Sequence, residues 1–173
     1  MNLIQNCKYK KYVIIHTLIF IFGIIVGVML GNVIGDIGEI PILSKPFYDY
    51  FIHNLITCIT IILFGVITFG FLTWIPLIYN GVVLGMAINF LSYHNDSFQI
   101  LIYFAHGFVE IPSLMLSIYL GKLISMNIRE ALIALIKKKK FAIKSSFFKE
   151  IGIMFSIITG LLLLASIIEA LPK

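Results

Sequence analysis

Charge is scarce in this chain, and acidic charge scarcest of all. Asp and Glu number 8 among 173 residues, and only 12% of the chain is charged. A water-soluble domain of this length needs far more polar surface, which excludes that class. Cysteine is nearly absent. Cys7 and Cys58 fit no zinc spacing and no disulfide framework, and Cys58 stands in an apolar run as a small hydrophobe does. No H-E-x-x-H and no G-x-S-x-G occurs, so neither a zincin helix nor a serine-hydrolase elbow is present. No G-x-x-x-x-G-K-[ST] occurs either, so any ATP hydrolysis must come from another protein. No cofactor is expected, no internal repeat is evident, and the only low-complexity segment is a run of four lysines.

What is present is apolar. Hydrophobic residues make up 60% of the chain, and the mean hydropathy is +1.05. Five stretches are long enough to cross a ~30 Å hydrocarbon layer as helices of about 20 residues. They are 12–34, 51–72, 77–93, 98–124 and 151–171. A helix satisfies its own backbone hydrogen bonds where no water is at hand. The expected fold is therefore all-α, a polytopic membrane helix bundle of five transmembrane helices in a single membrane domain, 1–173. The opening resembles a secretory signal, with Lys8, Lys10 and Lys11 before an apolar run. That run is too long for an h-region and no A-x-A-like site follows, so it reads as an uncleaved first span. The charge-free link "GFLTWIPLIYNG" reads as a tight turn at the inner interface, marked by Trp74, Pro76 and Tyr79, with the break near Ile75. Asn80, Gly81 and Gly85 make the third span read as a broken or partly re-entrant helix.

The net charge of +5 invites a nucleic-acid partner, but its distribution argues against one. Of the 13 basic residues, 11 lie before the first span or from Lys122, at the end of the fourth span, to Lys149 ahead of the fifth. Asp36, Glu39, Asp49 and Asp96 fall in the alternate loops. The positive-inside rule then gives a cytoplasmic N-terminus and an outside C-terminus. The segment 125–150 is the one long cytoplasmic piece. From Ile128 its apolar residues recur at helical spacing, with lysines following. It reads as a topology anchor, or as a basic amphipathic helix that meets anionic inner-leaflet lipids or docks a soluble partner. Arg129, Lys137, Lys138, Lys139, Lys140 and Lys144 are the residues that would do so.

The sharpest local signal is "YFAHGFVEIPS", residues 103–113, where ionisable groups sit inside a greasy stretch. Such groups cost several kcal/mol at bilayer depth unless they find partners. His106 and Glu110 stand at i and i+4 and share a helix face. Gly107 reads as a point of close helix approach, and Pro112 as a kink with a freed carbonyl near residue 108. His53, Asn54, Asn80 and Asn89 are the other polar residues at bilayer depth, and the expected polar site draws on His53, Asn54 and Asn80 together with Gly81 and Gly85. Three readings stay open. His106 and Glu110 hydrogen-bond to Asn54 and Asn80 and hold the bundle together. Or the group forms a polar cavity that handles a substrate or protons, with Glu110 titrating. Or it is a metal site or intramembrane hydrolase with Glu110 and His106 as catalytic candidates and His53 as a third ligand, since catalytic zinc wants three protein ligands. Metal is the least favoured. His16 and His94 read as interfacial residues. Gly23, Gly27, Gly31 and Gly35 recur every four residues and form a small-residue ridge on the first span.

"YNGVVLGMAINF" followed by "FAHGFVEIPSLMLSIYLGKLI" resembles the core signature of the stage II sporulation protein M family. Asn80, Gly81, Gly85, His106, Gly107, Glu110, Pro112 and Gly121 match it, and Asn54 resembles an amide position of the second span. Ala105 departs, because the family usually has Pro before the His. The resemblance covers roughly residues 50–125 well. It implies an integral membrane subunit that works with other proteins and brings no established enzyme activity. One branch joins the machinery that remodels the septal wall during forespore engulfment. Another, of short members in Gram-positive bacteria, accompanies circular bacteriocins in maturation, export and self-protection. The partners it implies there are other membrane subunits, an ABC-type ATPase and a hydrophobic peptide. This chain is short, rich in Ile and Lys, and expected to carry no extracytoplasmic domain, which fits the second branch. An intramembrane peptidase or ligase using Glu110 and His106 is the alternative.

Overall fold

The computed structural model describes residues 3–34, 46–93, 97–143 and 145–170, apart from the side chains of 3–10, 91, 93 and 97–104. The outer-loop residues Asp36, Glu39 and Asp96, and with them Gly35, His94 and Lys144, lie outside that description. Among the described residues there are five helices and no strand: α1 (Leu3–Ile34), α2 (Phe47–Ile67), α3 (Trp74–Tyr93), α4 (Ser97–Ile136) and α5 (Ser145–Glu169). Four stretches, Lys11–Ile34, Phe47–Ile67, Ala105–Ile136 and Ser145–Glu169, are long and apolar enough to cross a membrane. The apolar part of α3, Trp74–Phe90, is shorter. Large apolar side chains on every helix face outward, Val33, Ile67, Tyr79, Phe108 and Ile157 among them. A lipid-facing surface needs such an exterior, and an aqueous one would not tolerate it.

Lipid tails are as apolar as leucine, so the helices gain little by hiding leucines from them. Close backbone approach and side-chain interlock carry the packing instead. The α1–α3 pair shows this most plainly. A methyl group added at Gly27 would run into the Val82 carbonyl, and one at Gly85 into the Ile24 carbonyl. Gly23 faces Gly81 and the Ile78 carbonyl, and Gly31 faces the side chain of Asn89. The partner number climbs with the α1 number, so the two helices run parallel. At the far end the Asn89 amide donates to Asn32 Oδ1 at 2.8 Å. A second set packs α4 against α2 and α5. There Gly65 meets Gly121, and the Cys58 thiol reaches the Ser113 hydroxyl at 4.0 Å. The register again rises on both helices, so α2 and α4 are parallel. The two sets join through Phe20, Leu77, Leu114 and Ile118, which share one buried cluster with Ile61 and Leu162.

The ends of the helices depart from the sequence expectations in four places. The second helix stops at Ile67 and not at 72, because Phe69 and Gly70 turn left-handed with φ of 53° and 81°. Gly70 N–H then donates to the Gly65 carbonyl at 2.7 Å, which closes the helix end. Pro76 does not mark the break. It occupies the first turn of α3, where its missing N–H is not needed. The third helix is continuous through Gly81 and Gly85 and is not broken, since both glycines serve contact with α1. Finally, the apolar positions from Ile128 onward do not form a separate helix. They are the last turns of α4, one 40-residue helix that also contains Pro112. At 1.5 Å per residue it is about 60 Å long, twice the hydrocarbon thickness. It ends where Lys138 turns left-handed, with Lys139 N–H donating to the Ala134 carbonyl at 2.8 Å.

Candidate functional site

Polar side chains collect at two levels of this bundle, separated by the apolar cluster. The first lies beside the C-terminal turn of α2, where α1 begins its apolar run. The Tyr12 hydroxyl donates to the Gly70 carbonyl at 2.9 Å and lies 2.9 Å from Thr73 Oγ1. His16 Nδ1 is 2.8 Å from the Tyr12 carbonyl, and its Nε2 is 2.7 Å from Thr73 Oγ1. Thr73 is fully buried. Lys122 of α4 donates from Nζ to the Phe69 carbonyl at 3.0 Å and lies 5.3 Å from the centre of the Tyr12 ring. A cation beside the last carbonyls of α2 complements the negative end of that helix. His16 is thus part of a buried network and not a bare interfacial residue. Sequence spacing did not reveal it, because Tyr12, His16, Thr73 and Lys122 come from three separate segments.

The second level is a cavity of about 180 Å³, partly open to the exterior. Its polar lining comprises His53 and Asn54 from α2, Asn80 from α3, His106 and Glu110 from α4, and Glu169 from α5. Apolar walls come from Phe20, Leu84, Ile111 and Leu114. The helix directions explain the gathering. His53 and Asn54 lie near the start of α2, Glu169 at the end of α5, and His106 and Glu110 in the first half of α4. With alternating directions, all of them come to the same end of the bundle, away from Tyr12. The i and i+4 spacing puts His106 and Glu110 on the cavity side of α4, while Phe108 between them points outward and is 82% exposed.

Several sequence expectations change here. Gly107 is not a point of close approach: a methyl group added there meets nothing within 4 Å. It widens the cavity that it lines. Gly81 and Gly85 do not join the polar site, because they pack on α1. Pro112 is exposed on α4, and the Ser113 hydroxyl next to it donates to the Glu110 carbonyl at 2.6 Å. Among the described residues, no hydrogen bond joins His106 or Glu110 to the amide of Asn54 or Asn80. Asn80 Nδ2 donates to the Pro76 carbonyl of its own helix at 2.7 Å. Asn54 is 7% exposed, yet its Nδ2 is a buried donor with no hydrogen-bond partner among the described residues. Among the described residues, no group of three His, Cys, Asp or Glu side chains is placed to hold a metal ion, so His53, His106 and Glu110 do not assemble as ligands. Glu169 joins the cavity without any expectation from sequence. Its only signal was a carboxylate at the end of an apolar run.

Arg129 is exposed on the last turns of α4, as are Leu132, Leu135 and Ile136 around it. Lys137, Lys138, Lys139 and Lys140 follow, all exposed. They lie at the Tyr12 end of the bundle, opposite the cavity.

A sequence profile described as stage II sporulation protein M matches residues 16–171. An uncharacterized protein of Methanocaldococcus jannaschii is 30% identical over 120 residues, which is 65% of this chain and 67% of that protein. No solved structure matches.

Proposed function

The chain belongs to the stage II sporulation protein M family, and from that premise we propose that it is a multi-pass, non-catalytic subunit of a cell-membrane assembly. Five helices cross the bilayer, with the N-terminus cytoplasmic and the C-terminus outside. The cavity then opens in the outer half and engages a hydrophobic peptide, while the basic end of α4 meets the anionic inner leaflet and an ABC-type ATPase. The observation that carries this reading is the cavity itself. Two carboxyls, two imidazoles and two amides face a shared space within a largely apolar bundle. Ionisable groups at bilayer depth are costly and generally serve a substrate or ion path. Orientation is supported by the 11 of 13 basic residues that fall on one side. The need for a separate ATPase follows from the missing nucleotide-binding loop.

Within the family, the Ile- and Lys-rich composition favours circular bacteriocin maturation, export or immunity over the engulfment machinery. Neighbouring genes separate these two contexts directly. The assembly is tested by purification from the native host in mild detergent. An ATP-binding protein is expected to co-purify, whereas a monodisperse single-chain particle overturns the proposal.

One observation favours a second reading, an intramembrane peptidase or ligase. Glu110 shares its cavity with His106 and with a second carboxyl, Glu169, as general acid–base chemistry requires. The Glu110→Gln variant distinguishes the two. If it assembles normally while leader-bearing precursor accumulates, the enzyme reading gains. If partner association fails, the subunit reading stands.

A further inference from the structure

The chemistry of the cavity narrows what fits inside it. Glu110 and Glu169 both line it, and among the described residues neither Lys nor Arg does. A phosphate or carboxylate ligand would meet like charge there, and a purely apolar one would leave the polar lining unsolvated. A coordinated metal is disfavoured, since no three ligating side chains converge among the described residues. The remaining class carries a positive N–H donor. The lining also contributes a donor of its own. Asn54 Nδ2 is buried and, among the described residues, without a hydrogen-bond partner, on a residue more than nine-tenths buried that lines this space. An orphaned donor in a cavity calls for an acceptor that arrives with the ligand. The ligand therefore carries an ammonium and, close to it, a carbonyl oxygen.

We infer that the cavity receives the free amino end of a peptide: the terminal ammonium lies between Glu110 and Glu169, and the first carbonyl accepts from the side-chain amide of Asn54. The first side chain rests against Phe20, Leu84 and Leu114, apolar residues of the same lining. The volume of about 180 Å³ corresponds to about six water molecules at ~30 Å³ each, enough for one terminal residue and not for a folded segment. Gly107 leaves open the room that a larger residue would occupy. The inference rests on the cavity's peptide-engaging role proposed above and supplies the end of the peptide that is recognised. A free amino compound carries the same ammonium–carbonyl pair, and the experiment separates the two sources.

The test uses the full chain in lipid nanodiscs and a fluorescent label on the carboxyl end of the tetrapeptide Leu-Ile-Ala-Leu, followed by anisotropy. The peptide with a free amino terminus is expected to bind about tenfold or more tightly than its N-acetylated form, since acetylation removes the charge and its charge-assisted hydrogen bonds. Glu169→Gln and Asn54→Leu are each expected to weaken the free peptide by about fivefold or more. Their elution profiles and melting temperatures establish that they are folded. Leucinamide that competes at concentrations matching the peptide's own affinity assigns the site to a free amino compound. Leucinamide that competes only at far higher concentration assigns it to a peptide end. Equal binding of free and acetylated peptides, no binding of either, or full binding by both folded variants overturns the inference. Because the isolated chain is used, this result is independent of whether an ATP-binding protein co-purifies.

Discussion

His16 Nε2 stands 2.7 Å from the hydroxyl oxygen of Thr73, a residue 57 positions further along the chain. The Tyr12 carbonyl, 2.8 Å from Nδ1, is an acceptor only, so Nδ1 carries a proton. In the neutral imidazole, Nε2 then accepts from Thr73, and the Tyr12 hydroxyl donates to the Gly70 carbonyl. Thr73→Val keeps the shape and removes the donor, leaving His16 Nε2 buried without a partner. The expected loss is about 1–3 kcal/mol. His16→Phe with Thr73→Val forms a double-mutant cycle with an expected coupling of about 1 kcal/mol, the range of polar pairs between membrane helices. Unfolding in mixed micelles measures it, and strictly additive losses would refute a direct bond.

The glycines divide by what stands beside them. Gly85→Ala drives a methyl group into the Ile24 carbonyl, which the α1–α3 contact cannot absorb without separating. A destabilisation of about 1–3 kcal/mol is expected from such overpacking. Gly107→Ala meets open space and replaces a flexible residue within a helix, so a gain of up to about 1 kcal/mol is expected. Melting temperatures in one detergent compare the two. A common sign for both changes would contradict the interlocked packing of α1 and α3.

Asn54 presents a buried donor that nothing among the described residues satisfies. Exchange for an apolar side chain of similar size removes a desolvation penalty of about 1–3 kcal/mol, set against any imperfect fit of the new side chain. Asn54→Leu is expected to melt at or above the parent temperature. A clear fall in melting temperature would mean that the amide holds the fold together.

Orientation is checked chemically. Lys139→Cys and Ala170→Cys place single thiols at opposite ends of the bundle, in a background where Cys7 is replaced by Ser and Cys58 is buried. A membrane-impermeant maleimide applied to intact cells is expected to label the second and not the first, and to label both after permeabilisation. The reverse pattern would invert the topology and place the cavity in the inner half.

Helical class, the rough positions of the apolar stretches and the shared face of His106 and Glu110 were readable from the chain, because period and hydropathy are local properties. What escaped depends on neighbours distant in sequence. Gly81 and Gly85 looked like interruptions of a helix, yet their purpose lies on α1. Gly107 resembled them in composition and differs because no helix stands opposite. Glu169 stood at the end of an apolar run, and only the antiparallel return of α5 brings it to the cavity. Helix ends were misplaced by a few residues at Pro76, since proline breaks a helix interior but suits a first turn.

The pairing of α1 with α3, and not with α2, also bears on biogenesis. A membrane protein made from its N-terminus inserts its first span while most of the chain is still unmade. The glycine seam of α1 has no seat until the whole of α2 and the turn after it have entered the bilayer. During that interval the groove is filled by acyl chains or by the insertion machinery. Folding must therefore wait for the third helix to displace that temporary filler, which makes the arrival of Gly81 and Gly85 the step that commits the first span to its place.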